Sequence, residues 1–231
     1  MNTQLLTLDE RALVQRNFMA KVYGWMAWAL LMTGAIAFFV ASQPSLVYSL
    51  VNNRLLFWGL LLGEFGLVWY LSSAIDRISA QAASFGFIIY SILNGVTLSV
   101  IFFLYTSESI ASTFFITAGT FSAMSVYGSI TKRDLTSFGN FLMMGLIGII
   151  IASFANFFFH SEMIYWVTTY IGVFIFIGLT AYDTQKIKNI GLSVNSEGTY
   201  MQKAALMGAL CLYLDFINLF LLLLRIFGRR K

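Results

Sequence analysis

Polar residues in this chain are gathered into short segments that separate long apolar blocks. Each block is close to the roughly 20 residues that a helix needs to cross about 30 Å of hydrocarbon. We predict seven spans, at residues 22–42, 55–75, 82–105, 109–130, 138–159, 163–184 and 204–227. None shows the alternation of apolar and polar positions that a transmembrane β-strand would have. The pattern therefore predicts an all-α membrane protein, a bundle of seven transmembrane helices.

The segments between the blocks are short, with one exception. Residues 185–200, "QKIKNIGLSVNSEGTY", are rich in Gly, Ser and Asn and are predicted to form a loop before the last span. Residues 1–21 are polar and charged, so we predict an N-terminal tail followed by a transmembrane domain at residues 22–231. The first apolar block is too long for the core of a secretory signal and no small-residue cleavage site follows it, so we expect it to be retained.

Composition agrees with a membrane protein. Only 10% of the 231 residues are charged and 59% are hydrophobic, whereas soluble domains carry about 25% charged residues. The net charge of +4 comes from basic residues between the apolar blocks. A nucleic-acid-binding protein needs a basic face on a folded domain, and none is available here. The lipid bilayer is the expected partner, and Cys211, the only cysteine, cannot form an internal disulfide.

The distribution of Lys and Arg predicts the orientation. If the N-terminus is cytoplasmic, the inner segments hold nine basic residues and the outer loops hold only Arg54. The inner residues are Arg11, Arg16, Lys21, Arg77, Lys132, Arg133, Lys186, Lys188 and Lys203. The C-terminal "RIFGRRK" disagrees with this bias, because a seventh crossing leaves it outside. Either the early helices fix the topology and the tail follows, or the last block re-enters and returns inside.

Four ionisable residues interrupt the predicted spans: Glu64, Asp183, Asp215 and Arg225. Each costs a few kcal/mol to insert, so such residues usually face the bundle interior and have a partner or a function. On the last span, one helix face carries Gly208, Cys211, Asp215, Asn218 and Arg225. This stripe predicts that the last helix has an interior side. The simpler alternative is that its polar groups only form hydrogen bonds between helices.

Three motifs resemble those of a known family. "TKRDLTSFGNFL", "GLTAYDTQKIKN" and "LYLDFINLFLLLLRIFG" are similar to segments of the Bax inhibitor-1 family, the transmembrane Bax inhibitor motif proteins, in its bacterial inner-membrane branch. The resemblance runs from about Phe18 to Gly228. It implies six helices around a central last one, in a multi-pass protein of the bacterial inner membrane.

The resemblance also implies a function and its residues. Family members are associated with a calcium leak that responds to pH through two aspartates, which match Asp183 and Asp215. An arginine on the second helix latches that pair, and Arg77 in "AIDRIS" is the best match. Glu64 and Arg225 resemble a second ion pair, between the second and seventh helices. No cofactor is implied, and calcium is the expected permeating ion.

Two aspartates close together in a low dielectric cannot both ionise cheaply, so the pair titrates as a unit. We expect acid to release the latch and open a route lined by Asp215 and Asn218. A tight calcium site takes about six to eight oxygens, so Asp183 and Asp215 predict only a weak transit site. Potassium and protons remain alternative permeating ions.

Two other functions are considered. An intramembrane aspartyl protease would need G-x-G-D at its second aspartate, but this chain has "LYLD", with Leu212 and Leu214 at the glycine positions. We therefore do not expect an enzyme. The stronger alternative is a non-conducting regulator, in which residues 1–21 bind a membrane protease or another membrane protein.

Overall fold

The computed structural model describes residues 8–193 and 198–231, and all regular structure within them is helical. The helices are α1 (Leu8–Ala41), α2 (Pro44–Asn52), α3 (Arg54–Ala74), α4 (Ala80–Leu98), α5 (Ile101–Leu104), α6 (Ser107–Ile130), α7 (Thr136–Phe159), α8 (Glu162–Ser193) and α9 (Thr199–Phe227). In this part of the chain the prediction of an all-α fold is confirmed.

Seven segments of the described residues are long and apolar enough to cross a membrane, which confirms the predicted number of spans. They are Ala12–Ala41, Arg54–Ala74, Ala80–Leu104, Ser107–Ile130, Thr136–Phe159, Glu162–Gly191 and Thr199–Phe227. The first begins earlier than predicted, because α1 is already helical from Leu8. Residue 21 is therefore not a break in secondary structure, and residues 1–7 of the predicted tail lie outside the described part.

Two short helices were not predicted. Helix α2 follows the first span, with Pro44 in its first turn, where the fixed φ of proline suits a helix start. Its buried Val47 and Leu50 pack against Val40, which explains why this segment folds instead of forming an open loop. Helix α5 continues the third span after a turn at Ser99, whose hydroxyl donates a 2.6 Å hydrogen bond to the carbonyl of Val96.

The loop predicted at residues 185–200 is wrong over its first part, because α8 continues to Ser193. The residues at 185–188 are Gln-Lys-Ile-Lys, and three of these four have unbranched side chains that favour a helix. Ile187 is only 4% exposed, so the extension also buries apolar surface. Of the remaining positions, 194–197 lie outside the described residues, and Thr199 already belongs to α9.

The chain divides into two compact units. Unit 1 contains the residues up to Leu104 together with Ile187–Leu210. In its core α1 packs closely on α4: the hydroxyl of Thr33 donates a 2.9 Å hydrogen bond to the carbonyl of Ser91. A Cβ at Gly95 would meet the Thr33 carbonyl oxygen at 2.7 Å, so this position requires glycine.

Unit 2 contains Tyr105–Lys186 and Cys211–Lys231. Its apolar core joins α7, α8 and α9 through Leu142, Val173, Ile175, Phe176, Leu179, Leu219 and Leu223. Helix α6 adds Phe121, whose ring packs edge-on against Phe216 with the ring centroids 5.5 Å apart. The unit thus brings the second half of α9 against the first three-quarters of α8.

Helix α9 is continuous from Thr199 to Phe227, so the alternative of a re-entrant last block is wrong. Beyond it, the carbonyl of Arg229 accepts a 3.0 Å hydrogen bond from the backbone of Thr106, and its own N–H donates to Ser109 Oγ at 2.9 Å. The C-terminal residues therefore lie at the end of unit 2 where α6 begins. In the apolar stretch of α9, 67% of the residues are buried, against 6% in that of α7. The position of α9 at the bundle axis stays a prediction.

Candidate functional site

Unit 2 brings Asp183 and Asp215 together. Asp183 lies on α8 and Asp215 near the middle of α9, and their side chains are only 8% and 5% exposed. The two carboxyl groups lie close enough for the charge of Asp183 to act on Asp215. A hydrogen bond between two carboxyl groups needs a proton on one of them, since an ionised carboxylate can only accept. The geometry is therefore suited to sharing a proton.

The second oxygen of Asp215 is not satisfied. Its Oδ2 is fully buried and has no hydrogen-bond partner among the described residues. A buried polar atom without a partner typically costs about 1–3 kcal/mol. A buried atom of this kind needs an explanation, and a role in binding or proton transfer is one.

Cys211 is a third member of this cluster. It lies one turn before Asp215 on α9, so both side chains project from the same face. Its half-buried thiol lies close enough to both aspartates to be affected by their charges. The sequence placed Cys211 on the polar stripe but did not indicate this proximity, because it depends on which turn of α8 faces α9.

Lys186 supplies a positive charge to the cluster. It follows Asp183 by one turn of α8, and its charge acts on the Asp183 carboxyl. Its ammonium group is exposed and lies 5.8 Å from the centroid of the Tyr182 ring. Arg77 is also exposed, in the turn after α3, but it belongs to unit 1. The role of Arg77 as the latch therefore stays a prediction.

The turn of α8 around Asp183 is closely packed against two glycines of neighbouring helices. A Cβ at Gly128 of α6 would come within 2.9 Å of the Cα and carbonyl carbon of Ala181. A Cβ at Gly139 of α7 would meet the Tyr182 ring at 2.5 Å or less. Glycine at these two positions lets both helices approach the residues that precede Asp183.

The residues after Asp183 make polar contacts. Thr184 Oγ1 lies 3.0 Å from Ser125 Oγ on α6. Gln185 accepts a 2.9 Å hydrogen bond from the N–H of Leu135 and donates a 2.8 Å bond to the carbonyl of Arg133. The motif "AYDTQK" thus fixes α8 to α6, to α7 and to the segment between them.

The two remaining residues predicted on the last helix have local contacts. Asn218 is half-buried, and its Nδ2 donates a 2.8 Å hydrogen bond to the carbonyl of Leu214 on the same helix. Arg225 is exposed, and its guanidinium lies 5.4 Å from the centroid of the Tyr165 ring, a cation–π contact. A place for Asn218 on an ion path stays a prediction.

Glu64 belongs to a separate cluster, in unit 1. Its carboxylate is 8% exposed and accepts one hydrogen bond from Asn94 Nδ2, at 3.3 Å, and another from the hydroxyl of Thr97. Tyr90, also on α4, is close enough to be affected by the charge of Glu64. Because Arg225 belongs to unit 2, the predicted Glu64–Arg225 pair stays a prediction.

The aspartate pair alone is a poor calcium cage. Among the described residues, no group of three or more His, Cys, Asp or Glu side chains could hold a metal ion. Two carboxylates offer four oxygens, fewer than the about six to eight that calcium takes. Water and backbone carbonyls would have to complete any site at Asp183 and Asp215.

Comparison with known proteins identifies relatives over nearly the whole chain. Residues 15–231 match the family described as "Inhibitor of apoptosis-promoting Bax1". The chain is 52% identical to the inner membrane protein YbhL of Escherichia coli K12, over 94% of this chain and 93% of that protein. It is 44% identical to an uncharacterised protein of Borreliella burgdorferi, over 96% of each chain.

Proposed function

Because the chain belongs to the Bax inhibitor-1 family, we propose that it is a pH-sensitive cation leak channel, most favourably for calcium, gated by protonation of the aspartate pair. The seven apolar segments among the described residues and the similarity to an inner membrane protein support a location in the inner membrane. The observation that carries the proposal is the proximity of two buried carboxyl groups, Asp183 and Asp215, on two different helices.

In the closed state, the pair holds one proton and one negative charge. A cation stabilises that charge, either Lys186, which acts on Asp183, or Arg77. A second proton neutralises the pair and removes its attraction to the cation. Helices α8 and α9 are then held together less strongly, and a path along Asp215 and Asn218 opens. Acid therefore increases flux.

Weak coordination is compatible with conduction. An ion must bind well enough to enter a pore and loosely enough to leave it. The aspartate pair includes the Asp215 Oδ2, which has no hydrogen-bond partner within residues 8–193 and 198–231. It therefore offers carboxylate oxygens without a complete set of calcium ligands. Selectivity among calcium, potassium and protons would depend on how water completes the site.

The test is flux through purified protein in liposomes, measured with a trapped calcium dye over a pH series. The wild type should leak faster in acid, and Asp183→Asn should leak with little dependence on pH. Asp134→Asn is the matched control, because Asp134 is exposed and its carboxylate accepts hydrogen bonds from Thr136 alone among the described residues. A wild type no leakier than protein-free vesicles, or an unchanged pH profile in Asp183→Asn, would overturn the proposal.

The alternative is a non-conducting regulator that binds a membrane protein partner through residues 1–21. From Leu8 onward this segment is part of α1, and Gln15 donates a 3.3 Å hydrogen bond to the carbonyl of Lys188. It is therefore partly engaged within unit 1, which does not favour a free docking tail. Absence of flux in the wild type would make this alternative the better one.

A further inference from the structure

One face of α6 buries polar groups within unit 2. The buried residues of α6 recur mostly every three or four positions, which places them on one face of the helix. Four of them carry hydroxyl groups, and we call these four the hydroxyl face of α6: Ser109, Thr113, Thr117 and Ser125. The opposite side of the helix is apolar and exposed, for example at Phe115 and Ile130. Helix α6 therefore has its polar side inside and its apolar side outside.

Thr113 is the unusual member of the hydroxyl face. It is fully buried, and its Oγ1 has no hydrogen-bond partner among the described residues. A threonine within a helix can satisfy its hydroxyl by donating to the carbonyl four residues earlier. Thr117 does so, to the carbonyl of Thr113 at 2.8 Å, but Thr113 does not. A buried hydroxyl without a partner destabilises the fold, so this position needs an explanation other than packing.

The hydroxyl face connects the C-terminal end of unit 2 with the turn that carries Asp183. At one end, Ser109 Oγ accepts a 2.9 Å hydrogen bond from the N–H of Arg229, an exposed residue. At the other end, Ser125 Oγ lies 3.0 Å from Thr184 Oγ1, and Thr184 is the residue after Asp183. The distribution of Lys and Arg predicts that the first of these ends is outside the membrane.

An aromatic contact interrupts the hydroxyl face. Phe121 lies on this face between Thr117 and Ser125. Its ring packs edge-on against that of Phe216, with the ring centroids 5.5 Å apart. Phe216 follows Asp215 on α9 and is itself buried. Because an apolar constriction can close a pore by excluding water, this contact is suited to separating the first three hydroxyls from the aspartate pair.

We propose that the hydroxyl face of α6 lines the outer half of the cation path, where Thr113 offers its oxygen to the passing ion or to the water around it. The inference rests on the proposed function, and it extends the path from Asp215 and Asn218 to the outer end of unit 2. Hard cations take oxygen ligands, and a neutral hydroxyl holds them less strongly than a carboxylate. Such weak binding suits conduction, because the ion must also leave.

The first test replaces the unpartnered hydroxyl by a methyl group of similar shape. Thr113→Val removes an unsatisfied group, so the variant should melt at or above the wild-type temperature. It also removes an oxygen from the path, so calcium flux in acid should fall roughly threefold to tenfold, as expected for one hydrogen bond. Thr33→Val is the matched control, because Thr33 is also buried but lies in unit 1, and its hydroxyl donates to the Ser91 carbonyl. The control should melt lower than the wild type and keep its flux.

Thiol labelling tests for water on the hydroxyl face without measuring flux. Thr113→Cys in vesicles is treated with a thiosulfonate reagent that carries a quaternary ammonium group and does not cross the bilayer. The labelling of the wild type, whose only thiol is Cys211, is subtracted. The remaining rate is divided at each pH by that of Ser107→Cys, an exposed position on the same helix. This ratio should rise severalfold as the pH falls, whereas Phe115→Cys, on the apolar side, should stay unlabelled.

The outcomes separate this inference from the proposed function. In a protein that leaks in acid, unchanged flux in Thr113→Val would overturn the role of the hydroxyl face, and so would a labelling ratio that does not change with pH. In a wild type that does not leak, a ratio that rises in acid would uphold a water-filled face on α6 and overturn the channel. Absence of both flux and labelling would overturn both proposals.

Discussion

The two units each bury an acidic cluster, and the clusters differ in how their oxygens are satisfied. In unit 1, both carboxylate oxygens of Glu64 accept hydrogen bonds, from Asn94 and Thr97. In unit 2, the Asp183 carboxyl lies close to a second carboxyl and a thiol, and Asp215 Oδ2 has no partner among the described residues. All three acids are at most 8% exposed, so burial alone does not distinguish them.

The difference makes Glu64 and the aspartate pair candidates for different roles. A fully satisfied buried network makes a fold rigid, whereas a partly satisfied one costs free energy. Local conflicts of the second kind are expected at functional sites. The aspartate pair is therefore the better candidate for a group that changes state, and Glu64 the better candidate for one that holds α3 to α4.

The largest expected effect on stability is that of a substitution at Gly128, which packs against the turn of α8 just before Asp183. Gly128→Ala forces a Cβ into the backbone of Ala181 and should lower the free energy of unfolding by about 3 kcal/mol, because overpacking moves backbone. Gly119→Ala, on the same helix with no atom within 4 Å of the added Cβ, is the matched control. Thermal unfolding in detergent compares them, and equal stability would show that α6 does not press on this turn.

Removing the acid of unit 1 should have the next largest effect. Glu64→Ala leaves the donors of Asn94 and Thr97 without their acceptor and should cost about 2 kcal/mol of stability. Asp76→Ala, at an exposed position between α3 and α4, is the control. The melting temperatures of Glu64→Ala, Asp76→Ala and the wild type test this prediction. If Glu64→Ala melts with the wild type, Glu64 is not a structural acid.

Asp215→Asn should stabilise the protein, in contrast to Gly128→Ala and Glu64→Ala. The amide can donate to Asp183 and removes the repulsion between two ionised carboxylates, so the variant should be more stable by about 1 kcal/mol in alkaline solution. The gain should fade in acid, where protons already relieve the repulsion. Melting temperatures over a pH series test this, and a difference that stays constant with pH would count against a coupled pair.

Asp134 should give the smallest effect, as an exposed acid outside both clusters. Hydrogen bonds from the side chain and backbone of Thr136 hold the pKa of Asp134 below its usual value. Its contribution to stability is therefore present above the pKa of an unfolded aspartate, about 3.9, and is lost as the pH falls through the lower folded value. Asp134→Ala should be slightly less stable than the wild type near neutral pH and equal to it in strong acid. A stability gap that persists in strong acid would contradict this assignment.

Much of the fold could be predicted, because span length and the apolar blocks are local properties of the sequence. The extension of α8 through residues 185–193 was missed, because its Gly and Ser residues suggested a loop while buried Ile187 favours a helix. Asp183 and Asp215 were found through motifs. The partners of Glu64 and the proximity of Cys211 to Asp183 were not, since they depend on which turns of separate helices meet.

The most direct test is an infrared titration of protein labelled with ¹³C-aspartate, which separates the aspartates from Glu64. The wild type, Asp183→Asn and Asp215→Asn are titrated in the same vesicles. If Asp183 and Asp215 titrate independently, the wild-type curve is the sum of the contributions that each acid shows in the variant lacking the other. If they share a proton, the wild-type curve should differ from that sum. A wild-type curve equal to that sum would mean that the two acids titrate separately, and proton sharing could not be the gate.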